Sequence, residues 1–262
     1  MVDQVTLRKA QLKMVEILDA IDTICNRNSI QYWLCYGTLL GAVRHKGFIP
    51  WDDDCDICMM REDFEKFSSC INELPKNLFL QTTQSDPYYN KKIMKIRMKD
   101  TKLVELDEDE NEKYHQGIFV DIFVWDYYDD VSVNVLKSIK VINDWKYKRK
   151  LYPRGSWKRF VIQVGVAMPF LFYSIVNRIM RITSYINRKN KKLRYVGQEV
   201  KLCSDVFYDK KMIFPIKKEC CFEGRVLPVP NDSDAFLKEC YGDYMVLPNP
   251  EDRYWHAKKI EC

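Results

Sequence analysis

Glycine and proline are scarce in this 262-residue chain, at 9 and 10 residues, which excludes collagen-like and low-complexity classes. No period of roughly 20 to 50 residues recurs, so solenoids and propellers are excluded too. No apolar run reaches the about 20 residues a bilayer span needs. The longest, Phe160 to Val176, has seventeen residues, with Pro169 inside it. A secretory leader is not expected, because Asp3, Arg8, Lys9, Lys13 and Glu16 interrupt the first helical stretch. Histidine numbers only three, and neither His115 nor His256 has a local partner at metal-ligand spacing. Acids are missing altogether between Trp145 and Gln198.

What is present is the composition of a folded, enzyme-sized protein, with 47% apolar, 13% aromatic and 30% charged residues. Ten cysteines are scattered along it, six of them (Cys25, Cys35, Cys55, Cys58, Cys220, Cys221) in apolar or strand-like segments. They are expected to be reduced and mostly buried, and Cys55-x-x-Cys58 lacks the second pair of a zinc ribbon. Fourteen Lys or Arg fall in the acid-free stretch, so a net charge of +5 conceals −9 on the remainder. The acidic remainder argues against nucleic acid as a partner. Beyond Pro169, Ser174, Arg178, Arg181, Ser184 and Arg188 recur at helical spacing opposite Leu171, Ile175, Ile179, Ile182 and Ile186. Two readings stand: a basic amphipathic helix lying on a membrane surface, or a buried helix with a solvated basic face. The first would place the protein in the cytoplasm, at the inner face of the plasma membrane.

Along the chain, a helix over Val5 to Cys25 is followed by a strand over Ile30 to Tyr36, a break at Gly37-Thr38 and a short helix over Leu39 to His45. Further strands are expected over 54–60, 78–83, 93–98, 102–106 and 118–126, with a helix over 62–74. Helical patterns then run to about Lys201, ahead of a hairpin around CCFEGRVLPVP and a helix from Asp232. Strands followed by helices indicate an α+β fold in one domain, 1–262, with a helical insertion at about 145–198.

Three carboxylates stand out. In WDDDCDI, a strand would project Asp54 and Asp56 from one face, and two like charges in one volume call for a hard divalent cation. Asp121 lies mid-strand in IFVDIFVWD, where an unpartnered carboxylate would cost several kcal/mol. A shared Mg²⁺ or Mn²⁺ site satisfies all three. An acidic turn for the pair, and a salt bridge from Asp121 to an Arg such as Arg97, are the alternatives. Asp52 and Asp53 read as solvated or capping. Gly37-Thr38 at a helix start would offer N–H groups and a hydroxyl to a phosphate, with Arg44, His45 and Lys46 close behind.

The segment YGTLLGAVRHKGFIPWDDDCDI, Tyr36 to Ile57, closely resembles the signature of the LicD family. GIFVDIFVWD is similar to its second acidic strand, and FEGRVLPVPND with YGDYMVLP to its C-terminal block. The resemblance implies a nucleotidyltransferase-type fold binding two metals through Asp54, Asp56 and Asp121. Gly37 and Thr38 stand in the phosphate-binding turn, and Arg44, His45, Lys46 and Arg97 would bind substrate. It implies transfer of a phosphorylated small group, most often phosphocholine from CDP-choline, to a hydroxyl of a cell-surface glycan or its lipid-linked precursor. Other CDP- or CMP-linked groups stay open: phosphoethanolamine, 2-aminoethylphosphonate, glycerol phosphate or pentitol phosphate. A metal-dependent glycosyltransferase shares the Asp-x-Asp but needs a longer nucleotide-binding unit before it. A non-catalytic glycan-assembly scaffold would not need three acids.

Overall fold

A computed structural model describes residues 3–91, 93–131, 133–134, 157, 182–183, 185–198 and 207–262. It divides into two compact units, Met1–Val124 with Lys211–Cys262, and Trp125–Lys210.

In the first unit, helix α1 (Gln4–Arg27) starts at Asp3, whose carboxylate accepts from the Thr6 N–H. Leu7, Ala10, Met14, Ile17, Leu18, Ile21 and Ile24 form its buried stripe. Each large side chain in that stripe is worth about 1.5–3 kcal/mol of burial. Strand β1 (Trp33–Leu34) leads directly into helix α2 (Tyr36–His45). The break expected at Gly37-Thr38 falls two residues earlier, for Gly37 and Thr38 are already helical. The chain reverses at Cys35, which is extended, and at Tyr36, whose φ of 46° is left-handed. Strand β2 (Asp56–Met60) begins after Asp54, so alternation along a strand does not bring Asp54 and Asp56 together. The loop ahead of the strand does.

Helix α3 (Arg61–Ser69) and strands β3 (Leu78–Gln81), β4 (Met94–Met98), β5 (Lys102–Glu105) and β6 (Phe119–Tyr128) follow. The sheet order is β1-β2-β6-β4-β3, with β4 antiparallel to β6. Thus β2 and β6, carrying Asp56 and Asp121, are neighbours, and the Asp121 N–H donates to the Cys55 carbonyl at 2.8 Å.

In the second unit the end of β6 pairs antiparallel with β7 (Tyr195–Gln198), and β7 with β8 (Phe207–Asp209). The helical pattern expected up to about Lys201 therefore gives way to a strand from Tyr195, where Tyr195 and Val196 favour pairing. Tyr128, Val133 and Phe207 form its small core. Phe160 to Val176 and most of the basic insertion lie outside the described residues. Of its described part, Trp157, Ile182 and Ile186 are exposed. Among the described residues no helix is long and apolar enough to cross a membrane.

Back in the first unit, β9 (Lys217–Phe222) and β10 (Arg225–Val229) form the expected hairpin. Its turn, Glu223-Gly224, has positive φ at both residues, as a tight two-residue loop requires. Helix α4 (Ser233–Tyr241) is capped by Asp232. The Tyr/Pro-rich end closes in a strand not foreseen, β11 (Ala257–Glu261), antiparallel to β5. The architecture is α+β. Cys25, Cys35, Cys55 and Cys58 are buried and free, whereas Cys220 and Cys221 are at least partly exposed on the hairpin.

Candidate active site

The loop before β2 turns through Trp51 to Asp54 beneath the first turn of α2. Its carboxylates meet the middle of β6 and the start of β11 in a cavity of about 510 Å³. Gly37, Asp52, Asp54, Asp56, Glu105, Asp121 and His256 supply the polar wall, and Tyr36, Trp51, Phe123, Tyr241 and Tyr254 the aromatic one. Asp54, Asp56 and Asp121, which the sequence singled out, all face this one space.

Each of these acids is perturbed in the same direction. Burial pushes Asp56 well above the usual carboxylate range, and Asp54, Asp121 and Asp52 push it further. Burial and Asp54 do the same to Asp52, and burial raises Asp54 itself. Burial also raises Asp121, although Lys95 opposes it, leaving the group at about 6. Four carboxylates crowded in a low dielectric repel one another, and their charged forms need a cation. Asp52 Oδ2 and Asp121 Oδ1 are both buried with no hydrogen-bond partner, but Asp121 Oδ1 has the Lys95 ammonium at 2.7 Å, whereas Asp52 Oδ2 is an oxygen left open to a cation.

Two neighbours brace this wall. Thr38 is buried, and its Oγ1 accepts the Asp56 N–H at 2.7 Å. The hydroxyl expected to face a ligand therefore holds the backbone of an acid in place. Gly37 does line the cavity: a Cβ there would sit 3.0 Å from Asp52 Oδ2, so its missing side chain lets the helix start approach the acids.

Asp53 is buried as well, accepting the N–H groups of His256 and Ala257 and, at 3.0 Å, contacting the His256 Nδ1. Solvation or capping, the roles expected for it, do not describe it: it caps no helix and instead holds the start of β11, about 200 positions away. Asp52, Asp53 and His256 offer ligand atoms all within 4.8 Å of one another, close enough to share one metal ion. His256 also approaches Asp54 Oδ2 at 3.3 Å, and its bond to Asp53 and the charge of Asp54 raise its pKa.

The expected basic residues are elsewhere. Arg97 is fully buried and off the cavity, its Nε donating to Gln81 and its Nη1 to the Gly117 carbonyl. It does not meet Asp121. That partner is Lys95, directly across the ladder, with Nζ 2.7 Å from Asp121 Oδ1. Arg44 donates to the Tyr244 carbonyl and to His45 Nε2. It lines a second cavity of about 570 Å³, which shares Leu40, Ile49, Trp51 and Tyr241 with the first. His45 packs edge-on near Trp51. Lys46 takes the left-handed position closing α2 and reaches back to the Val43 carbonyl. Neither His45 nor Lys46 lines either cavity.

Sequence reasoning missed Asp52, Lys95, Glu105 and His256. Asp52 stands in the same motif as Asp54 but reads there as solvated or capping, while cross-strand register and the unforeseen β11 bring in Lys95, Glu105 and His256, and no local spacing encodes either.

Residues 29–152 match the LicD/FKTN/FKRP nucleotidyltransferase-domain family. The chain is 30% identical over 270 residues to the lipopolysaccharide cholinephosphotransferase LicD of Haemophilus influenzae, covering 97% of this chain and 96% of that protein. Over 57 residues it is 40% identical to the ribitol 5-phosphate transferase FKRP of mouse and human, covering 22% of this chain and 10% of each of those proteins.

Proposed function

Because this chain belongs to the LicD family of phosphotransferases, we propose that it transfers phosphocholine from CDP-choline to a hydroxyl of a cell-surface glycan or its lipid-linked precursor. The observation that carries this reading is the convergence of Asp52, Asp54, Asp56 and Asp121 on one cavity, with Asp52 Oδ2 buried and unpartnered. Oxygen donors of this kind suit a hard divalent ion, Mg²⁺ or Mn²⁺. Asp52, Asp54 and Asp56 would hold it. Asp53 lies within reach, but its oxygens are already taken by two backbone N–H groups and an imidazole, so it anchors His256. Bound there, the ion would neutralise the donor's diphosphate and the charge that develops on the leaving CMP.

The protein's own groups do the rest. The first turn of α2 presents its N-terminal end to the cavity beside Gly37, where a phosphate is favoured by the helix dipole. Thr38 fixes Asp56 and Asp53 fixes His256, so the acidic wall is set before substrate arrives. The acceptor oxygen attacks phosphorus, the bond from phosphorus to the CMP oxygen breaks, and the hydroxyl proton passes to a carboxylate of the cavity. Two adjoining cavities with a shared wall at Trp51 and Tyr241 give a two-substrate reaction room for both partners. The basic insertion and the exposed Trp157, Ile182 and Ile186 support contact with a membrane surface, where a lipid-linked acceptor would lie.

A panel of CDP-linked choline, ethanolamine, glycerol and ribitol with Mg²⁺ and glycan extract, scored for CMP release, tests the reading. CDP-choline is expected to turn over fastest. Preference for another member would move the assignment to that headgroup, and release from none would end it.

A further inference from the structure

The acids of the cavity differ in what already compensates them. On one side, Lys95 Nζ lies 2.7 Å from Asp121 Oδ1 and 3.5 Å from Glu105 Oε2, with its side chain only 2% exposed. The ammonium also stands 3.3 Å from the centroid of the Phe119 ring, which closes its remaining side. Lys91 holds Glu105 at 3.0 Å and Glu108 at 2.9 Å, extending the alternation of charge outward. On the other side, Asp52, Asp54 and Asp56 have no Lys or Arg in ion-pair contact among the described residues. The His256 imidazole approaches Asp54 Oδ2 at 3.3 Å, with its Nδ1 shared with Asp53.

Resting on the metal reading above, we propose that Lys95 is the built-in cation of Asp121, and that the cavity takes one divalent ion, on Asp52, Asp54 and Asp56, not two. A second ion on Asp121 would have to approach a fixed ammonium already in contact with the same carboxylate, and like charges so close in a buried site repel strongly. Lys95 cannot step aside, because it is packed between Phe119 and Glu105 and pinned by the β4–β6 register. It does not line the cavity and so touches no substrate. It is a positioning residue, standing where the second metal of a two-metal site would otherwise supply charge.

Counting Mn²⁺ bound per chain by electron paramagnetic resonance tests this without turnover. The wild-type protein is expected to bind one ion. Lys95→Gln frees Asp121 and is expected to bind two, whereas Lys95→Arg keeps the charge and stays at one. Two ions on the wild type or on Lys95→Arg would overturn the proposal, as would one ion on a Lys95→Gln protein shown to be folded by circular dichroism. If Lys95→Gln does not fold, the other two counts decide. No ion on the wild type would instead remove the metal reading itself.

Discussion

Replacing Thr38 by valine keeps the shape of the side chain and removes one oxygen. That oxygen accepts the Asp56 N–H at 2.7 Å in a buried setting, while the Asp56 carbonyl accepts from the Cys35 N–H at 3.3 Å. The peptide at Asp56 is thus tied to the start of α2 on both sides. Thr38→Val leaves a buried N–H with nothing to receive it, a cost of about 1–3 kcal/mol. For a chain of this size each kcal/mol moves the melting temperature by about 2–4 °C, so a fall of roughly 2–12 °C is expected by calorimetry. Turnover should fall further than stability suggests, because a displacement of about 1 Å in a positioned group costs on the order of 100-fold. Thr38→Ser retains the oxygen and gives up only a buried methyl, about 0.8 kcal/mol, so it should melt about 2–3 °C below the wild type with most of its activity. A Thr38→Val protein that melts and turns over like the wild type would refute the idea that this hydroxyl braces the acidic wall.

Asp53→Ala strips the acceptor from two backbone N–H groups and an imidazole. It should cost about 3 kcal/mol and release residues 257–261 to hydrogen exchange; unchanged protection there would contradict the anchoring role. Binding of Mg²⁺ should depend on pH with a definite sign. Burial raises Asp52, Asp54 and Asp56, so protons compete with the ion there. Asp121 itself, raised to about 6, contributes stability that is full below its ordinary value of 3.8 and lost as pH rises through about 6. Because the protons on Asp52, Asp54 and Asp56 must leave before the ion binds, the Mg²⁺-induced gain in melting temperature should be smallest at acid pH and grow as pH rises; a gain that does not change with pH would be inconsistent. Glu105 runs the other way. Burial would raise it, but Lys95 and Lys91 overcome that and hold it at about 2, so its contribution is present above about 4.5 and fades as pH falls towards 2. Trp51→Ala opens the wall common to both cavities and should raise KM for donor and acceptor alike by about tenfold, about 1.4 kcal/mol each. A change confined to one substrate would separate the two sites.

The acids were legible because their chemistry is local. WDDDCDI puts several carboxylates in seven residues, and Asp121 interrupts an apolar strand, so each signals a need for compensation without reference to the rest of the chain. The strands of the first unit other than β11, and the hairpin, were legible from alternation and turn residues. What answers the acids was not. The sequence offered Arg97 for Asp121 and passed over Lys95, two residues earlier on the same strand, and only the pairing Lys95↔Asp121 singles Lys95 out. His256 reaches Asp53 because Ala257 to Glu261 adds to β5, and a short strand after a Tyr/Pro-rich stretch carries no strong periodic signal. Gly37-Thr38 was read as a break because glycine and threonine are poor helix formers. The turn falls two residues earlier, at Cys35 and a left-handed Tyr36, which no propensity favours.

CMP release from CDP-choline in the presence of glycan acceptor, measured after chelation, after Mg²⁺ is restored, and with Asp56→Asn under the same conditions, puts the acidic cavity itself on trial. Chelation should abolish release, Mg²⁺ should recover it, and the variant should stay inactive while melting as a folded protein. Undiminished release from chelated enzyme, or from Asp56→Asn, would show that the carboxylates gathered beneath α2 do not drive the transfer.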